Sequence, residues 1–269
     1  MIFYARLPTI SGMSDEKRIN VLIIGDEVLS RSVPESNLDY VLQKAAAAAY
    51  RVNEVAIVGD SVHAISTAIK RLYSEDHYLI TSGGVGPTHD DVTMQGVAAA
   101  FSLPLLENAK MKEFLLRVYG PYSTDAVFRM AQLPQGMEVE LSEDGLWPLM
   151  RLDHCYVLPG LPRAFRARVD RIMAALPQQK PFWVALAYSD CDESLFAAEL
   201  AQIQENFPQV IIGSYPVIRS EAGYAVRLSL RGRVREEVQL AWESLLDEFG
   251  QHGWISSSQP PVVADIKAE

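Results

Sequence analysis

Apolar positions along the first two thirds of the chain alternate between two patterns. Asn20–Gly25, Glu54–Gly59 and Tyr78–Ser82 are short β-branched runs, the first two closed by glycine and the third followed by one. The first reads as a buried parallel strand, the second as a further strand and the third as a buried one. Between them the apolar spacing changes to three and four. Leu38, Val41, Leu42, Ala45 and Ala49 form one stripe over Ser36–Tyr50, and Val62, Ile65, Ile69 and Leu72 form a second. That is the period of a helix face. A third helix is expected over Asp91–Phe101. The order β-α-β-α-β-α predicts a parallel sheet with right-handed crossovers.

The pattern is weaker over 104–150. Lys110–Tyr119 reads as a helix and Gln132–Leu152 as loop with short strands. Cys155–Leu158 is a further buried strand, closed by Pro159-Gly160-Leu161-Pro162, and a helix carrying Phe165, Val169, Ile172 and Met173 follows. Leu176–Pro181 has the composition of a linker. Beyond it, strands are expected at Phe182–Ala187, Val210–Tyr215 and Tyr224–Leu230, with helices at Asp192–Phe207 and Val234–Phe249. The expected organisation is an N-terminal tail over 1–17, an α/β domain over 18–176, a small α+β domain over 182–251 and a disordered tail over 256–269. Met1–Gly12 has no apolar stretch of signal-peptide length, and Met13 is a candidate start.

Charge narrows the partners. The chain of 269 residues carries 24 basic and 34 acidic side chains, a net charge of −10. That balance argues against a general nucleic-acid or anionic-membrane binder. A small phosphate ligand must then be held by local devices. Cys155 and Cys191 are the two cysteines, too far apart for a CxxC site. No apolar run approaches the ~20 residues of a membrane span. The expected location is the cytoplasm.

Thr81-Ser82-Gly83-Gly84-Val85-Gly86-Pro87-Thr88-His89-Asp90-Asp91 is the strongest chemical signal. It follows a buried strand and opens a helix, where open parallel sheets bind ligands. Its glycines let backbone N–H groups approach a phosphate. It is neither a dinucleotide fingerprint nor a P-loop. Thr88 and Asp91 also fit a capping box, which needs no ligand. Acids stand at neighbouring strand ends: Glu27 after the first, Asp60 after the second, and Asp90 and Asp91 after the third. They either cap the helices that follow or converge on one metal-bound phosphate. Leu158–Pro162 is a rigid turn that either walls a pocket or ends a strand. Arg163, Arg166, Arg168 and Arg171 read as a solvated helix face, with Arg163 nearest a ligand. Ser189-x-x-Asp192 reads as a second capping box. The histidines show no metal spacing.

In combination, Gly25-Asp26-Glu27, Asn37, Gly59-Asp60, Ser82–Thr93 and Leu158–Pro162 resemble the molybdopterin-binding domain of the MoaB/Mog type. Within that group they are most similar to the N-terminal region of competence/damage-inducible protein A (CinA) and to the corresponding domain of eukaryotic FAD synthase. The resemblance spans about residues 18–175. Asp192-Glu193-Ser194 and Gly213–Pro216 resemble the small domain that follows in such proteins. The resemblance implies a three-layer α/β/α fold with a mainly parallel sheet. It implies catalytic Asp60 and Asp91, and a ligand cradle of Ser82, Gly83, Gly84, Val85, Gly86, Thr88, Asn37, Pro159 and Gly160. It implies a divalent metal (magnesium, manganese or cobalt) at Asp60, Asp90, Asp91 and Glu27. The expected activity is metal-dependent cleavage of ADP-ribose or FAD to AMP. The alternatives are a non-catalytic molybdopterin- or nucleotide-binding module and a molybdopterin adenylyltransferase. A homo-oligomer is expected, with a nucleotide or pterin phosphate as partner. Where the family has Asp-Thr-Asn, this chain has Glu35-Ser36-Asn37, a departure expected to bear on ligand choice. Neither an amidohydrolase domain nor a FAD-synthesising domain is expected within these residues.

Overall fold

A computed structural model describes residues 17–218 and 223–264. The expected N-terminal tail, save its last residue, the candidate start Met13 and the last five residues lie outside them. Two compact units divide between Gln178 and Gln179.

The first unit begins β1 (Arg18–Ile24), α1 (Asp26–Leu29), α2 (Asn37–Ala47), β2 (Val52–Val58), α3 (Val62–Leu72), β3 (His77–Ser82) and α4 (Thr93–Phe101). It continues β4 (Leu105–Glu107), α5 (Ala109–Tyr119), α6 (Asp125–Arg129), β5 (Gln132–Pro134), β6 (Glu138–Glu140), β7 (Leu149–Leu152), β8 (Cys155–Leu158) and α7 (Pro162–Ala175). Six strands form one sheet in the order β2-β1-β3-β8-β7-β6. β1 pairs in parallel with β2 and β3, and β3 with β8, whereas β7 runs antiparallel to its neighbours. Leu22, Ile24, Ile65, Ile69 and Leu79 pack on one face, with the helices α3 to α6. Ile23, Val41, Ile80, Phe165 and Ile172 pack on the other, under α2 and α7. This is the three-layer α/β fold that the resemblance implies, built on the parallel sheet that the apolar pattern predicts. β2 lies at the sheet edge, so its burial alternates and Val55 and Ile57 stay exposed.

The direction of strand order reverses between β1 and β3. α2 covers one face and α3 and α4 the other, so the two strand ends open a crevice between them, the place where such sheets take ligands.

The second unit contains β9 (Trp183–Ser189), α8 (Ala197–Asn206), β10 (Ile211–Pro216), β11 (Val226–Gly232), α9 (Arg235–His252) and β12 (Ser257–Val263). Its sheet order is β10-β11-β9-β12, antiparallel throughout. That is the split β-α-β arrangement of a ferredoxin-like α+β unit. Val226, Leu228 and Leu230 alternate inward against Phe196 and Phe249. Within the tail expected over 256–269, residues 257–263 instead form the outer strand of this sheet. Pro260 and Pro261 sit where the register with β9 shifts. Proline lacks an N–H to donate but is tolerated at a sheet edge.

Two readings of polar motifs also change. Asp192 accepts the N–H of Ser194 at 3.0 Å, while Ser189 receives the N–H of Cys191 at 3.1 Å, so Ser189 and Asp192 form two short turns rather than one capping box. Arg168 is not solvated. It is 3% exposed and pairs with Asp144. Arg171 pairs with Glu140 at 2.9 Å, and Arg166 lies over the Tyr40 ring. Arg163 is exposed at the start of α7.

Candidate functional site

The site grows from the ends of β1, β3 and β8. Gly83 donates its N–H to the Leu158 carbonyl at 3.1 Å, extending the β3–β8 ladder by one residue. There the chain turns through Gly83 (φ 109°) and Gly84 (φ 64°), a region side chains resist. Space forbids a side chain as well. A Cβ on Gly83 would strike the carbonyl oxygen of Ile24, and one on Gly84 would strike the Thr93 hydroxyl. Beyond this turn, the N–H groups of Gly84, Val85 and Gly86 donate to no acceptor among the described residues. Consecutive unpaired N–H groups in such a loop form an anion-binding concavity.

α4 starts at Thr93, two residues later than expected. Thr88 and Asp91 therefore do not cap it. Asp91 Oδ2 accepts the N–H of Thr88 at 3.0 Å and also the Thr88 hydroxyl, closing a turn within the loop. α4 is tied to the glycines instead. The buried Thr93 donates its hydroxyl to the Gly83 carbonyl at 2.9 Å, and its N–H to the Gly84 carbonyl at 3.0 Å. Thr93→Val should keep the shape of the side chain and orphan the Gly83 carbonyl. The expected cost is about 1–3 kcal/mol, read as a lower urea midpoint with an unchanged slope.

Asn37 joins three elements. From the first turn of α2 its Nδ2 donates to Ser82 Oγ at 2.9 Å and to the Gly160 carbonyl at 2.8 Å. Its Oδ1 is buried without a partner. Gly160 in turn packs on Gly83, so the Leu158–Pro162 turn forms one wall of the loop. Glu35 receives the N–H groups of Asn37 and Leu38 at 2.7 and 2.9 Å. The departure at Glu35-Ser36 thus preserves a carboxylate cap on α2.

Asp60 does not cap the helix that follows it. Its Oδ2 accepts the N–H of Asp26 at 2.8 Å, linking the ends of β2 and β1. Partial burial raises its pKa above the ordinary aspartate value, and the negative charges of Glu27, Asp26 and Asp90 act in the same direction. The Asp26 N–H opposes them. These acids therefore share one field. They do not form a finished cage: among the described residues no three His, Cys, Asp or Glu side chains group closely enough to hold a metal alone. Asp90 and Thr88 are exposed, and His89 Nδ1 lies 4.0 Å from Asp90. A donor set of this kind suits magnesium, which commonly takes one or two carboxylates and completes its shell with water and substrate phosphate.

A cavity of about 90 Å³ is lined by Gly84–His89 together with residues of α4 and α6. Arg129 and Gln132 line it. Sequence reasoning missed this wall because α6 has only five residues and no clear period.

The fold and the glycine loop together define a molybdopterin-binding-type α/β domain. A model of the family described as "Probable molybdopterin binding domain" matches residues 20–178, and the chain belongs to that family. Residues 181–258 match the middle domain of FAD synthase. A protein of Archaeoglobus fulgidus is 27% identical over 85% of this chain and 97% of its own length. A probable FAD synthase of Caenorhabditis briggsae is 28% identical over 88% of this chain, which spans 52% of that protein. A CinA-like protein of Myxococcus xanthus is 32% identical over 57% of this chain and 38% of its own length. Among solved structures, the protein CinA of Thermoplasma acidophilum superposes with a TM-score of 0.53 at 23% identity, over 59% of this chain and 98% of that one. The chain is thus similar in sequence and fold to CinA-like members of the family. No helix among the described residues is long and apolar enough to cross a membrane.

Proposed function

We propose that the protein is a metal-dependent nucleotide pyrophosphatase that cleaves ADP-ribose or FAD and releases AMP. The reading rests on one observation: three unpaired N–H groups at Gly84–Gly86 stand at the strand ends that also carry an acidic group centred on Asp60. An anion and a cation are both wanted there, as a metal-bound pyrophosphate provides. The N–H groups take phosphate oxygens, and Asn37 holds the Ser82 hydroxyl and the Gly160 wall in place. Asp60 and Asp91 hold the cation, with Asp90 and Glu27 beside them. A divalent ion bound there supplies charge neutralisation at the pyrophosphate. In the reaction, a water oxygen bonds to one phosphorus, the bridging P–O bond breaks, and AMP leaves with ribose 5-phosphate or FMN as the second product.

A second reading has its own support. Asp91 is engaged by Thr88, which suits a loop that retains a molybdopterin or nucleotide without turnover. Incubation with ADP-ribose and FAD, with and without magnesium, manganese or cobalt, separates the two. Metal-dependent AMP in the chromatogram is the expected result. A ligand that co-purifies intact, with no AMP under any metal, supports the binding module. AMP incorporation into molybdopterin in the presence of ATP would instead identify an adenylyltransferase.

A further inference from the structure

The cavity beside the glycine loop has a chemistry that the strand-end acids do not explain. One wall is the loop, with the unpaired N–H groups of Gly84, Val85 and Gly86. α6 contributes Ala126 and Arg129, and among the described residues Arg129 is the only arginine or lysine lining the space. Arg129 is exposed and makes no ion pair among the described residues. Its backbone is fixed nonetheless. Val127 and Met130 on either side are buried in the core, and Thr124 caps the short helix by accepting the N–H of Val127 at 3.4 Å. Asp91, whose Oδ2 accepts the Thr88 N–H, lines the same cavity. An anion entering it meets that negative charge unless a cation stands opposite.

We propose that Arg129 is a phosphate-recognition residue. Its guanidinium binds the phosphate of a nucleoside or sugar phosphate whose oxygens also receive the loop N–H groups. A guanidinium suits this task because its parallel N–H groups match two oxygens of one phosphate. In a chain of net charge −10 it places a positive charge where the loop needs one and offsets Asp91. The identity of the phosphate compound rests on the pyrophosphatase reading, whereas the site itself does not.

The test is calorimetric titration of the full chain with AMP and with inorganic pyrophosphate, with adenosine as the control. Arg129→Ala should weaken AMP and pyrophosphate by about tenfold or more, and Arg129→Lys should recover part of the loss. Adenosine should not distinguish the variants. Because the side chain is exposed, the melting temperature should not move. In the turnover assay KM should rise with kcat retained. Equal AMP affinity in the wild type and Arg129→Ala overturns the proposal while leaving the pyrophosphatase reading intact. Weakened binding in a protein that never releases AMP supports Arg129 and removes the turnover reading. Failure of the wild type to bind either phosphate also overturns the proposal, and AMP release in the turnover assay then decides the pyrophosphatase reading by itself.

Discussion

Asp60→Asn should lower kcat/KM for AMP release by about a hundredfold or more, the scale on which a site loses the charge that stabilises its transition state. The substitution keeps the shape of the side chain and an oxygen to accept the Asp26 N–H. What it removes is the negative charge that draws a divalent cation. The same change should stabilise the fold. Asp60's pKa is raised in the folded protein, first by burial and then by Glu27, Asp26 and Asp90. A carboxyl whose pKa is higher folded than unfolded has its charged form disfavoured by folding. That penalty is present above the folded pKa and disappears as the pH falls below the unfolded value. Asp60→Asn should therefore melt at a higher temperature than the wild type at neutral pH, and the difference should shrink in acid. Thermal melts from pH 4 to pH 8 in chelator check the sign. A variant both less active and less stable at pH 7 would show that Asp60 acts as a structural link.

Gly83→Ala should be severe for a different reason. At φ 109° an L side chain is strained, and a Cβ there collides with the backbone oxygen of Ile24, which cannot swing aside. β1 and β3 would have to part at the point where the crevice forms, or the loop would have to lift off the sheet. The expected cost is about 3 kcal/mol or more in urea denaturation, with loss of ligand binding. Gly145→Ala is the control. It also has positive φ, at 66°, but nothing lies within 4 Å of its Cβ, so only the strain should register. Equal losses at the two positions would show that the close approach of the strand ends contributes nothing.

The central strands were legible because burial on both faces forces continuous apolar runs. β8 is where expected, and β1 to β3 agree to within two residues. Helices with one buried stripe were legible for the same reason. α1, α6 and β4 were not, since three to five residues carry no period. β12 was hidden by Ser256–Ser258 and two prolines, which compose a tail unless a sheet edge is available. For the site, glycine spacing located the loop, but partners were harder to read. A capping motif cannot say which N–H an acid will accept, so Asp60 turned out to bind Asp26 and Asp91 to bind Thr88. Arg129 lies 38 residues beyond Asp91 and reaches the loop only through the packing of α6.

Turnover at the strand-end site is read most directly as AMP release from ADP-ribose under saturating magnesium, under chelator, and in Asp91→Asn with its fold verified by circular dichroism. Stoichiometric AMP and ribose 5-phosphate are expected with magnesium, none under chelator, and a near-complete loss in the variant. AMP release that persists in chelator, or at an unchanged rate in Asp91→Asn, would contradict metal-dependent turnover at that site.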